Sequence, residues 1–245
     1  MFDPKVLESI EVISHSGVRI GGERVIYIDP VEVNGEPHDA DIILFTHPHF
    51  DHFSPKDAKK LMKGSTVIAA PATMLPMCSL LLGRKPEVLR PGERREIAGV
   101  QIEAVAAYNV GKPFHLKSMK WLGYVITLGE TRVYITGDTD ITAECRSVSC
   151  DILMLPVGGG YTINAQQAAE LANAVSPHTV IPIHYGKLLG GSEAPDVFRS
   201  GLSEGIQADI RPAAFSSILV KMYIKSAAAI VVCGMLGYIV GRLMG

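Results

Sequence analysis

Ile42-Ile-Leu-Phe-Thr46 runs into His47-Pro-His49-Phe-Asp51-His52, and this stretch decides the reading of the chain. A short apolar run that ends in polar residues reads as a buried strand stopping at a loop. The loop then carries three imidazoles and a carboxylate at the strand's C-terminal end. His47 and His49, two apart in extended chain, point the same way and can share one ion. Asp51 and His52, adjacent after the chain turns, can address a second. Three further candidates lie at comparable strand ends: His115 before Trp121–Leu128, Asp138 after Val133–Thr136, and His184 after Val180–Ile183. Five histidines and two aspartates suffice for two metal ions of mixed nitrogen and oxygen ligation, with positions open for water.

The order His47-x-His49-x-Asp51-His52, then His115, Asp138 and His184, resembles the metallo-β-lactamase superfamily over roughly residues 8–212. Ser14-His15-Ser-Gly17, Ile28-Asp29-Pro30, Gly158-Gly-Gly160-Tyr-Thr162 and Pro182-Ile-His184-Tyr-Gly186 are similar to its compact metal-dependent hydrolases, the branch of ascorbate-6-phosphate lactonase. The resemblance implies an α/β fold, a four-layer αββα sandwich of two facing sheets with helices outside and the site at one edge. It implies that His47, His49 and His115 hold one metal, that Asp51, His52 and His184 hold the other, and that Asp138 bridges them. Two divalent ions about 3.5–4 Å apart can hold a bridging water and lower its pKa toward 7. The hydroxide then attacks an ester, lactone or phosphodiester bond of a small or lipid-like substrate, with Asp51 orienting it or carrying its proton. Zinc is the first expectation, and the same donors suit manganese and iron. The pattern departs from the family at Asn164, where many relatives carry Asp; with Gln167 three residues on, Asn164 reads as a helix cap.

Other classes are weighed against this one. Iron-dependent redox enzymes of the same fold replace a motif histidine with a carboxylate and add a flavin module, and this chain does neither. A nuclease of the fold carries a basic face. Here 23 basic and 25 acidic residues give a net charge of −2, which argues against nucleic acid as a partner. A non-catalytic binding protein is disfavoured by the complete ligand set. At 47% apolar and 20% charged, the 245 residues describe a globular chain, not a disordered one. Four cysteines without a C-x-x-C pair form neither a zinc ribbon nor a disulfide framework.

The C-terminal part has a different composition. Residues 215–245 hold Lys221, Lys225 and Arg242 and no acid, leaving net −5 in residues 1–214. Sixteen uncharged residues, Ser226 to Gly241, would make a helix about 24 Å long, slightly short of a hydrocarbon core of about 30 Å. Snorkelling of Lys225 and Arg242 could cover the difference. Ala229, Cys233, Gly237 and Gly241 line one face at four-residue spacing, a pattern for close helix association. The expectation is a hydrolase domain over 1–214 and a hydrophobic tail over 215–245. That tail is expected as a membrane helix tethering a cytoplasmic body as a homodimer, or else as a helix docked on protein.

Strands are expected at Ile10–Ser14, Val25–Asp29, Ile42–Thr46, Val67–Ala70, Val100–Ala107, Tyr124–Leu128, Val133–Thr136, Ile152–Pro156, Thr179–His184 and Asp209–Phe215. Helices are expected at Pro55–Lys63, Ala72–Leu82, Ala165–Val175 and Ala194–Glu204. Asp29 reads as a carboxylate buttressing the metal loop. His15 reads as a loop-bonding residue, with pocket lining as the alternative. His38 and His178 read as surface residues, Trp121 as core, and Tyr185 as packing. Lys112, Lys117 and Lys120 read as a solvated loop or as contacts to an anionic substrate. Gly158–Gly160 could present amides to an anion but lacks the lysine of a P-loop.

Overall fold

The computed structural model describes residues 2–186 and 191–211. The expected boundary near residue 215 and the tail over 226–241 lie outside the described residues. Among those described, no helix is long and apolar enough to cross a membrane.

Two sheets form the body. The first has the order β1 (Ile10–Ser14), β2 (Gly17–Ile20), β3 (Ile26–Ile28), β4 (Ala40–Leu44), β5 (Met62–Pro71), β6 (Glu87–Leu89). The second runs β13 (Gln207–Ala208), β12 (Thr179–Ile183), β11 (Ile152–Pro156), β10 (Thr131–Ile135), β9 (Leu122–Leu128), β8 (Val100–Ala106), β7 (Arg94–Ile97). Side chains alternate between the faces of a strand, and these strands are apolar on both. Ile42 and Leu44 of β4 enter a core shared with Ile102, Tyr124, Ile135, Met154 and Ile181 of the other sheet. Ile43 and Phe45 face outward onto Ala58 and Leu61 of α2 (Pro55–Leu61). On the far side, Tyr134, Leu153 and Val180 pack on Ala168 and Leu171 of α5 (Ala165–Val175) and Phe198 of α6 (Ala194–Ser200). Three apolar clusters therefore separate four layers, helix, sheet, sheet and helix.

Local signals explain the helix starts. Ser54 caps α2 by accepting from Asp57 N, and Pro55 supplies the first turn. Asn164 caps α5 with Gln167 returning the bond, so the departure from the family's Asp serves a capping box. Three expectations need correction. The helix begun at Pro55 ends at Leu61, because β5 starts at Met62 to pair with Ala40 of β4. The stretch 72–82 is divided among short helical pieces. Among the described residues the last strand is Gln207–Ala208; Asp209 to Arg211 of the expected strand Asp209–Phe215 are outside any strand, and its remainder lies outside the described residues. Gln207 and Ala208 pair with Thr179 and Val180, after which Arg211 bonds Asp209 and the carbonyls of Leu7 and Ile10. These bonds draw the chain away from the sheet.

β1, β3 and β4 run in one sense in the first sheet, and β8, β10 and β12 in one sense in the second. Their C-terminal ends meet at one edge. There His184 N donates to His15 O at 2.9 Å, and Leu122 N to Thr46 O at 3.2 Å, tying the sheets together.

Candidate metal centre

The expected buttress Asp29 and all the expected donors but His115 follow those strand ends. Asp29 follows β3, His47 to His52 follow β4, Asp138 follows β10, and His184 follows β12. His115 lies on the loop between β8 and β9. The loop after β4 is pinned where His49 O accepts from His52 N at 2.9 Å and Phe53 N at 2.8 Å. Asp138 leaves β10 through Gly137, whose φ is +63°. A Cβ there would stand 2.8 Å from Leu122 O and 3.2 Å from Thr46 Cβ, so the close approach demands glycine.

All seven residues converge. His47, His49, His115 and Asp138 bring one donor atom each within 4.8 Å of one another, and so do His52, Asp138 and His184. Asp138 belongs to both groups. Its Oδ2 lies 3.3 Å from His115 Nε2 and 3.3 Å from His184 Nε2, and its Oδ1 lies 3.3 Å from His52 Nε2. His47 Nε2 is 3.0 Å from His49 Nδ1 and 3.9 Å from Asp138 Oδ2. Asp51 Oδ2 stands 3.5 Å from His184 Nε2 and 4.0 Å from His52 Nε2.

These spacings fit metal ions. Donors about 2.0–2.1 Å from a tetrahedral zinc are roughly 3.3–3.4 Å from one another. Moreover, the buried Nε2 atoms of His52, His115 and His184 have no hydrogen-bond partner. Three buried ring nitrogens without a partner, gathered around one carboxylate, are polar groups that a cation among them would satisfy.

The surrounding groups fix which nitrogen faces the cluster. Asp29, buried, accepts from Thr46 N at 2.8 Å, from Thr46 Oγ1, and from His52 Nδ1 at 2.7 Å. An ionised carboxylate has no proton to give, so His52 Nδ1 carries the hydrogen and Nε2 the lone pair. Thr46 Oγ1 spends its single hydrogen on Asp29, so it accepts from His47 Nδ1 at 2.9 Å, again leaving Nε2 free. His115 Nδ1 meets Asn109 Oδ1 at 2.8 Å, with the same result. Asn109 also accepts from His115 N and donates to Tyr161 O, so its amide orientation is set.

Burial opposes charge on every group here. It holds the His47 imidazole well below its ordinary pKa, helped by the charge of His52. Burial, then His115, lowers His49 to about 4. At His52 and His184 burial is outweighed by Asp138 and Asp51; His52 rises well above its usual value and His184 to about 9. Burial likewise acts on Asp51 and Asp138, but neighbouring imidazoles overcome it and hold both well below the carboxylate range. For Asp29 burial prevails, and its pKa is raised.

His15 takes the alternative place, lining the pocket, and some other residues take places the sequence did not assign. His15 is buried with Nε2 3.5 Å from Asp51 Oδ2 and its ring 4.0 Å from that of His184. It lines the site, and with Asp51 and His184 forms another possible donor group. Burial, then His184, lowers its pKa to about 4. Trp121 is buried as expected, yet its ring sits 5.0 Å from His47 and His49 and 5.5 Å from His115. Asn109 and Thr46 carry no motif; only adjacency to a ligand loop could have pointed to them. Lys112 is bound to Asp140 and Thr162 O, whereas Lys117, paired with Glu144, and Lys120 are exposed, as in a solvated loop. Gly159 N is taken by Ile163 O. Tyr185 donates to Arg211 O, and His38 and His178 are exposed.

Residues 9–184 match the family described as beta-lactamase superfamily domain. A protein of Thermococcus onnurineus named UPF0173 metal-dependent hydrolase is 27% identical over 208 residues, covering 78% of this chain and 90% of that one. The crystal structure of a protein designated metal-dependent hydrolase from Parabacteroides distasonis superposes with a TM-score of 0.72 at 32% identity, covering 82% of this chain and 91% of that one. CmlA, a diiron β-hydroxylase of Streptomyces venezuelae, shares the fold alone, with TM-score 0.69, 14% identity, and 83% and 52% of the two chains covered. The match runs from before β1 to His184 and takes in every residue of the donor cluster, so the chain belongs to the beta-lactamase superfamily and is, like the relatives it follows along most of its length, a metal-dependent hydrolase.

Proposed function

We propose that the protein hydrolyses an ester, lactone or phosphodiester bond of a small or lipid-like substrate, using two divalent ions. The observation that carries this is Asp138, whose two oxygens face the imidazoles of His52, His115 and His184 at 3.3 Å each. A carboxylate so placed suits a bridge, with His47, His49 and His115 on one ion and Asp51, His52 and His184 on the other. Zinc fits the imidazole-rich donors, and manganese and iron are compatible. Such ions, when bound, polarise the scissile group and lower the pKa of water toward 7.

The chain supplies the rest. Asp51 Oδ2 is kept ionised by its imidazole neighbours and keeps a small exposure, 12% of its side chain. As an acceptor-only carboxylate it is placed to orient the attacking water. His15 stays neutral near pH 7 and faces Asp51 Oδ2 with Nε2 at 3.5 Å, which orients that carboxylate. Asp29 and Asn109 hold the tautomers of His52 and His115. The segment 226–241 is proposed to tether the body to the cytoplasmic membrane and to bring two copies together through its small-residue face. Its charge-free composition supports this.

The test is elemental mass spectrometry of the full chain beside Asp138→Ala, with hydrolysis of lactones, carboxylic esters and phosphodiesters assayed on both. The expected result is about two ions per chain, falling in the variant along with activity. One ion, unchanged by the substitution, overturns the bridge. Membrane fractionation of the full chain and of Gly237→Leu/Gly241→Leu addresses the tail; a wholly soluble protein, or unchanged assembly in the variant, removes that part.

A further inference from the structure

A second concave site lies on the outer face of the second sheet. β8 sends Ile102 and Ala104 into the core between the sheets and turns Val105 to the other side. Over that outward face, between the turn before β7 and the segment 144–149, is a cavity of about 810 Å³. That volume is in the range of small-molecule sites.

Its lining combines two chemistries. Val105, Ala107 and Val148 give an apolar floor and wall. Around them stand Arg90, Arg94, Lys117, Lys120 and Arg132, against two carboxylates, Glu103 and Glu144. Arg90 is paired with Glu93 at 3.3 Å and Lys117 with Glu144 at 2.9 Å. Five cations thus face three carboxylates, a local excess of two positive charges in a body whose total is −5. Arg94 and Arg132 converge on the single carboxylate of Glu103, at 3.1 and 3.3 Å, so one anion serves two guanidiniums. Lys120 makes no ion pair among the described residues. A concave patch of one sign concentrates small ions of the other.

We propose that this cavity binds a small organic anion with an apolar body, its carboxylate or phosphate head between Arg94 and Arg132. The body lies along Val105 and Ala107 toward Trp121. None of the lining residues belongs to the donor cluster, so the site stands independently of the hydrolase reading. Trp121 is nevertheless common to both, lining the cavity while its ring lies 5.0 Å from His47 and His49. An occupant at that end touches the indole that packs against two of the proposed ligands.

Trp121 is the single tryptophan of the chain, so its fluorescence reads the cavity directly. The full-length, metal-loaded protein is titrated with hexanoate, hexyl phosphate, hexanol and inorganic phosphate, and again after chelation. A saturable change is expected with hexanoate or hexyl phosphate, the stronger of the two identifying the head group, and at least tenfold weaker binding of hexanol and inorganic phosphate. Arg94→Gln/Arg132→Gln should weaken the anion at least tenfold with metal content unchanged. Val148→Phe, which narrows the cavity without touching charge, should weaken it as well. Binding of hexanol as tight as that of the anions, full affinity in both variants, or no saturable change with any probe overturns the proposal.

Discussion

Replacing Asp29 by Asn changes one atom of a residue that touches no proposed substrate position, yet it should strip the second ion from its site. Asp29 Oδ2 accepts from both Thr46 Oγ1 and His52 Nδ1, and Oδ1 from Thr46 N at 2.8 Å. An amide keeps one acceptor oxygen. With that oxygen on Thr46 N, the NH2 faces His52 Nδ1–H, donor against donor. The imidazole relieves the conflict by moving its hydrogen to Nε2, the atom now aimed at Asp138 Oδ1 from 3.3 Å. A protonated Nε2 is no ligand. Loss of a partner behind a metal-binding histidine typically lowers affinity 10- to 100-fold, equivalent to about 1.4–2.7 kcal/mol. Competition titration against a chelator should show the ion shared by His52 and His184 weakened by that factor. The ion on His47, His49 and His115 should be less affected, with the far-ultraviolet circular dichroism of wild type. Thr46→Val removes instead the acceptor of His47 Nδ1–H and should weaken the other ion. Equal affinity of Asp29→Asn and wild type for both ions would refute the tautomer argument.

Metal uptake should release protons unequally: His52 and His184 are protonated at pH 7.5 in the metal-free protein, whereas His47 and His49 are neutral. Calorimetric titrations in buffers of different ionisation enthalpy should therefore show close to one proton lost from each of His52 and His184 with the second ion; a buffer-independent heat contradicts this. The metal-free protein should also lose stability between pH 6.5 and about 9. His184 has its folded pKa near 9 against about 6.5 when unfolded, so its contribution is full below 6.5 and disappears as pH rises through 9. Thermal scans across that window should show a falling Tm after chelation and a flatter profile with metal; parallel profiles would be evidence against it. Gly137→Ala sets a Cβ 2.8 Å from Leu122 O at φ +63° and should cost about 1–3 kcal/mol, read as a Tm lowered by several degrees together with reduced metal content. An unchanged Tm would mean the β10 exit is more pliant than its packing indicates.

What the sequence made legible follows from where local and global preferences agree. α5 is announced by Asn164 and Gln167 and runs over the expected residues, Ala165–Val175. β1 and β11 likewise keep their expected bounds, being apolar runs closed by Ser14 and Pro156. Six of the seven candidate donors were legible because they follow a buried strand, and sandwich geometry gathers strand ends at one edge; His115, on the loop between β8 and β9, was legible from its place in the motif order. β6 and β7 were missed: they are the outermost strands of their sheets, and Glu87, Arg94, Arg95 and Glu96 give them little apolar pattern. β2 is only four residues behind a turn at His15-Ser16. α1 (Pro4–Ser9) is too short for periodicity, although Asp3 and Pro4 are proper start signals. At the site, Asp29 was legible from its place at a strand end. Asn109 was not, because its role depends on a loop that closes only in three dimensions, where Asn109 N donates to His115 O at 2.7 Å.

The backbone at this edge shows what such a site costs. His15, Asp29 and His184 have φ of 35°, 46° and 55°, left-handed values that glycine would adopt freely. Glycine would supply no imidazole or carboxylate, and each position needs both the sharp turn and the side chain. His184 shows why: its amide must reach His15 O to join the sheets while its ring faces Asp138 and Asp51. At about 1–2 kcal/mol each, three such residues hold roughly 3–6 kcal/mol against the fold. The apolar layers on both sides of each sheet over-determine the strand ends and keep the turns in place. An ion present at a thousand times its dissociation constant would return about 4 kcal/mol, the same order as the strain. Folding and metal binding are on this account coupled at the strand ends. A substitution that relaxed those turns while keeping the helices and sheets intact would be felt first as lost metal affinity, before any loss of fold.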